Sequence, residues 1–169
     1  VDLNQVSPDL VGDVGGQLQF SGSTADTRIG AIAGSGNIAF SNGLATFNPE
    51  FANFNEPLTG QVVWNGEKIE VLQSQSERLT ATGTITPLFD KGFDGLERFD
   101  LNITARDYDI NDIPFVEIPD IFQLAGRADF TGTLTGKPEL PSINGTVQAS
   151  NLVVNTLPFN EQLTGTVSF

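Results

Sequence analysis

The chain has 169 residues, enough for one domain, with 38% apolar residues, 18 Gly, nine Pro and a formal charge of −13. It holds no Cys and no His, which excludes disulfides, thiolate or imidazole metal sites and any Ser-His-Asp or Cys-His catalytic device. The acidity repels nucleic acid and anionic headgroups, and no apolar run is long enough to span a bilayer as a helix.

Val1 opens in strand-like or turn sequence, without a signal peptide, so the chain reads as an excerpt from a longer protein. From there a period of two, the mark of strands, recurs to the last residue, and no 3.6-residue period is sustained. Predicted strands lie near 14–22, 34–41, 43–47, 58–65, 67–74, 77–87, 97–107, 121–135, 143–149, 151–156 and 162–169. The punctuation between them (SNG, WNGE, DKGFDG, NDIP) is turn chemistry.

The first strand places Gly16, Leu18 and Phe20 on one side, the second Gly36, Ile38 and Phe40, and the fourth Gly60, Val62 and Trp64. Ile69 and Val71 alternate with Lys68 and Glu70. Leu79, Ala81, Gly83 and Ile85 alternate with four threonines, and Phe99, Leu101, Ile103 and Ala105 with Asp100, Asn102, Thr104 and Arg106. Gly126, Ala128, Phe130 and Leu134 follow, then Val147, and finally Leu163, Gly165, Val167 and Phe169. The apolar members form one candidate ligand-lining face. Glycine shares that face with large residues, which implies either bending and close approach or ordinary kinks in a two-sheet sandwich. Thirteen Phe against one Tyr, one Trp and no Met favour dry apolar surface over the polar-tipped aromatics of interfaces and membrane barrels.

The chain also resembles itself. GQLQFSG from Gly16 matches GRADFTG from Gly126, GNIAFSNGLATF from Gly36 matches GTVQASNLVVN from Gly145, and LTGQVVW from Leu58 matches LTGTVSF from Leu163. Three anchors in one order give a repeat of about 105–110 residues, complete over 14–120 and half-complete over 121–169, within a single module.

Chemistry-bearing clusters are weak. DYDIND (Asp107–Asp112) has carboxylates at alternate positions but lacks the Gly and the bidentate Glu of a calcium loop, so it reads as a solvated turn. Asp90, Asp94 and Glu97 read the same way. No spacing marks a carboxylate pair such as Asp109 and Glu117 for glycosidase work, and the arginines at 28, 78, 98, 106 and 127 are scattered. No enzyme, metal or cofactor is expected.

The run GTLTGKPELPSING (Gly132–Gly145), continuing into TVQASNLVVNTLPFNEQLTGTVSF, resembles the repeat region of the TamB family (translocation and assembly module subunit). More distantly it resembles the AsmA-like bridge proteins of diderm envelopes. The likeness covers 120–169 well and 14–66 in part, and the first copy lacks the G-x-P-x-x-P turn. It implies an all-β fold in which a long, curved antiparallel or mixed sheet forms a trough (a β-taco) with an apolar concave groove. It further implies a location in the periplasm, as part of a protein anchored in the inner membrane by a segment absent here; a chloroplast envelope is the variant location. The implied partners are phospholipid and an outer-membrane barrel assembly protein of the TamA or BamA kind, with no nucleic acid, and the implied role is lipid transport and outer-membrane protein assembly or secretion. The alternative is a scaffold that binds unfolded outer-membrane strands by β-augmentation. A short-period solenoid fits the repeat length poorly, and a transmembrane barrel lacks its aromatic girdles.

Overall fold

Apolar and small polar residues in strict alternation, cut by Gly, Asn and Pro, leave the backbone one good way to satisfy its hydrogen bonds, and the chain takes it. The computed structural model describes residues 13–23, 25, 28, 31–41, 57–88, 95–112, 123–137, 140–159 and 161–168. These form β1 (Asp13–Ser21), β2 (Ala33–Ser41), β3 (Leu58–Trp64), β4 (Ile69–Gln75), β5 (Leu79–Leu88) and β6 (Gly95–Asp109). A 3-10 turn (Ile110–Asp112) follows, then β7 (Leu124–Lys137), β8 (Leu140–Val154), the short β9 (Leu157–Pro158) and β10 (Leu163–Ser168). There is no α-helix among the described residues.

The strands make one sheet in the order β1-β2-β3-β4-β5-β6-β7-β8-β10, with β9 attached to β8. Every pairing is antiparallel. Among the described residues the sheet is therefore antiparallel and not mixed. Extensive contacts join only ladder neighbours, and β1 and β10 do not meet, so the sheet is open. At ~4.8 Å per strand, a nine-strand path is about 40 Å long. This is shorter than eleven separate strands would give. The predicted strands 143–149 and 151–156 are one strand, β8, bulged where Asn151 takes φ 51°. The predicted strand 43–47 lies outside the described residues.

The three self-similar stretches fall on β1, β2 and β3 and again on β7, β8 and β10. Gly36 faces Val62 and Ile38 faces Gly60; correspondingly, Gly145 faces Val167 and Val147 faces Gly165. The first pair of each set differs, since Gly36 faces Leu18 whereas Gly145 faces Gly132. That slip is an even number of residues, which keeps every side chain on its own face.

Register shifts interrupt five successive ladders, from β3/β4 to β7/β8. Each bulge bends its strand and adds twist, so a run of them curls the sheet. The bulge before Tyr108 is pinned from both sides: Asp107 sits at φ 56°, its N–H donates to Asp129 Oδ1 at 2.8 Å, and Arg127 Nη1 donates to its carbonyl at 3.0 Å. The Arg78 guanidinium stacks 4.7 Å above the Tyr108 ring beside it.

Curling shields the apolar side only in part. Val62, Val71, Ala81, Ile110 and Ala128 are buried, yet no large side chain among the described residues is completely enclosed. The protein has a lined concavity instead of a sealed core.

Candidate apolar groove

Directly paired residues of an antiparallel ladder share a face, so the registers say which side chains stand together. One row runs Leu18, Gly36, Val62, Val71, Gly83, Leu101, Leu134, Ile143 across eight strands. Beside it runs Phe20, Gly34, Trp64, Ile69, Ile85, Phe99, Gly136, Pro141. On the other side, Gly16, Ile38, Gly60, Ser74, Ala81, Ile103, Gly132, Gly145 and Val167 cross nine strands. Leu79, Ala105, Phe130, Val147 and Gly165 make a fourth row, and Leu163 stands opposite Ala149. Phe40 pairs with Leu58 in the same register, and Phe169 lies outside the described residues. The predicted lining positions that the structure describes thus share one face.

These rows contain no charged residue. The reverse face does, in Glu70, Arg98, Asp100, Asp109, Arg127, Asp129 and Lys137, and is otherwise mainly amide and hydroxyl, with Ala39, Val63 and Val153 interspersed. Gln17, Asn37, Gln61 and Gln73 form one row, and Thr80, Thr104, Thr131, Thr146 and Thr166 another. A shallower, amide-rich depression of about 350 Å³ lies on that side.

Over β1–β5 the apolar face holds a groove of about 600 Å³ lined by Leu18, Phe20, Ile38, Val62, Trp64 and Ile69, with Ile32 and Pro87 also in its lining. Ligand clefts span roughly 300–1,000 Å³. Phe20 is 63% exposed and Leu18 48%, whereas Val62 is only 9% exposed and Ile103 half-buried. Ile32, Pro87, Ile143 and Ala149 also stand on this face and fall outside the predicted lining set. Ile32 lies between predicted strands, and Pro87 and Ile143 lie at the ends of theirs, where alternation has the least support on one side.

Glycine serves this face in two ways. At Gly83 (φ +142°) a Cβ would collide with the Asp100 carbonyl oxygen and lie 3.0 Å from Leu101 Cα, so the position answers to backbone approach between β5 and β6. At Gly34, the near contacts of a Cβ would be with the Phe20 ring, at 2.6 and 2.7 Å, which lies flat where a side chain would be. Both fit the expectation of bending and close approach, and the described residues form one sheet, not two packed face to face.

The acidic run ends β6 and forms the 3-10 turn that follows it. Asp109 Oδ1 accepts from the Asn111 N–H at 3.0 Å and from Asn111 Nδ2 at 2.9 Å, and Nδ2 also donates to the Leu124 carbonyl at 3.1 Å. No group of three acidic residues gathers as a metal site among the described residues. Glu117, Asp90 and Asp94 lie outside them, and Glu97 is an exposed residue of β6.

The Asn111 backbone N–H, then its side-chain amide, hold the Asp109 carboxyl below the usual carboxylate value. A depressed folded-state pKa contributes stability that is complete above the unfolded value and is lost as the pH falls through the folded one. Wild type should therefore lose this small contribution below about pH 4, and Asp109→Ala should flatten that part of an acid-melting profile. Identical profiles would contradict the turn's role. The exposed Arg98–Asp100 pair, with Nε donating at 2.9 Å and Nη2 at 3.0 Å, depresses Asp100 in the same direction.

Fold and groove together define an open, single-sheet all-β trough with one charge-free apolar face. No family model, curated protein or solved structure matches the chain.

Proposed function

We propose that this chain is a non-enzymatic conduit module that carries phospholipid acyl chains along its apolar face. The observation that carries this reading is the unbroken run of uncharged side chains across nine strands, left open to one side. A surface of this kind attracts hydrocarbon at roughly 0.8 kcal/mol per covered methylene. The attraction has no direction, so a chain slides from one strand to the next without breaking a specific hydrogen bond. Headgroups project out of the open side, and the acidic exterior discourages them from adhering elsewhere.

On the resemblance of Gly132–Gly145 and its continuation to the TamB family, the module would work in the periplasm of a diderm envelope. There it would belong to a longer protein that bridges an inner-membrane anchor and an outer-membrane barrel assembly partner, serving lipid transport and outer-membrane protein biogenesis. The chain's single Trp, Trp64, lies in the groove and supplies the test. Phospholipids with brominated acyl chains, which quench indole on contact, should quench Trp64, and the unbrominated lipids should not. Absence of quenching at saturating lipid would remove the proposal.

One observation favours the second reading, a scaffold for unfolded outer-membrane strands. β1 and β10 each have one edge without a ladder partner among the described residues, and open edges accept added strands. Photocrosslinkers at Gln17 and Thr166 should then trap client polypeptide. Crosslinks to lipid alone, from groove positions alone, would reject it for this module.

A further inference from the structure

We infer that Phe20 is a movable flap on the groove and that Gly34 is the residue that lets it lie open. This rests on the conduit reading and adds a control point to it. Phe20 stands on β1 opposite Gly34 of β2, which is opposite Trp64 of β3, so the three form one row across the groove floor. The space above Gly34 is filled by the Phe20 ring, whose Cδ1 and Cε1 would lie 2.6 and 2.7 Å from an added Cβ. Other neighbours leave room there: the next atom, the Gln19 carbonyl oxygen, is at 3.5 Å, an ordinary contact.

Gly34 is thus buried by one side chain, and that side chain is itself 63% exposed. A ring attached on one side and free on the other can rotate about its χ angles at little cost. Lying flat, it continues the floor between Leu18 and Trp64; raised, it stands across the groove.

The same device occurs at Phe130, the counterpart of Phe20 in the second half of the chain. Its ring covers the glycine positions 132 and 145, with Cζ and Cε2 each 2.6 Å from where a Cβ would be. There, however, the Cβ of residue 145 would also meet the Thr131 carbonyl at 2.5 Å and Gly132 Cα at 2.8 Å, so backbone spacing as well as the ring requires glycine. Gly34 isolates the ring effect and is the position to test.

A methyl group at residue 34 must lift the ring by roughly 1 Å to reach normal carbon–carbon separation. The experiment compares the whole chain with Gly34→Ala, Phe20→Ala and the double variant, using a dansyl-labelled fatty acid that brightens on entering an apolar site. Far-UV circular dichroism checks the sheet. We expect Gly34→Ala to bind roughly ten-fold more weakly than wild type with its sheet intact, and the double variant to regain most of that loss, since the obstructing ring is gone. Equal binding by Gly34→Ala and wild type would overturn the inference, as would a double variant no better than Gly34→Ala. Failure of the wild type to bind the probe would instead count against the conduit reading itself.

Discussion

Leu18→Asp should abolish the quenching of Trp64 by brominated acyl chains while leaving the sheet folded. Leu18 projects from β1 into the groove wall and is about half exposed, so a carboxylate there keeps its water in the empty protein. When an acyl chain lies over it, that water must leave, and desolvating an unpaired charge costs several kcal/mol. Affinity should fall on the order of 100-fold, whereas the melting temperature should move by little, as for other substitutions at half-exposed sites. Ile103→Asp should also block the path but costs packing, because the side chain is half-buried. Val62→Asp, at a position only 9% exposed, tests folding as much as binding. Undiminished quenching in Leu18→Asp would mean that hydrocarbon does not travel over this wall.

Gly83→Val should be among the most destabilising substitutions on the apolar face. At φ +142° a β-branched residue is in a region that essentially only glycine occupies. Its Cβ would also collide with the Asp100 carbonyl across the β5–β6 ladder. Together these should cost about 3 kcal/mol or more, read as a fall in melting temperature of roughly 10 °C. Gly165→Val on β10 is the matched control: nothing lies within 4 Å of its Cβ, and its cost should be within about 0.5 kcal/mol. Equal melting temperatures for the two variants would show that backbone approach does not set the glycine positions.

Most of the sheet was legible because alternation is a local signal that survives in every strand. Thr80 to Thr86 and Phe99 to Ala105 announce their faces without knowledge of their neighbours, and the registers then bring those faces together. The bulges were not legible. The Ser150–Asn151 pair looks like turn punctuation, yet β8 continues through it, because the long ladder with β7 holds on either side and Asn151 at φ 51° and Gly126 at φ 144° absorb the irregularity between them. The use of glycine was half legible. Sequence showed that glycines recur beside large residues, but only the pairing of Phe20 with Gly34 distinguishes a cradle for a ring from the close backbone approach at Gly83. Ile32 and Pro87 join the groove two residues from Gly34 and Ile85 of the same row, at strand ends where the sequence pattern is thinnest.

At the centre of this account is hydrocarbon resting on a face the polypeptide leaves uncovered. Native mass spectrometry of the chain purified from a diderm host tests that directly. Discrete mass additions equal to whole phospholipids are expected, released by collisional activation and absent from Leu18→Asp. A spectrum showing only the bare chain, even after incubation with excess phospholipid vesicles, would contradict it.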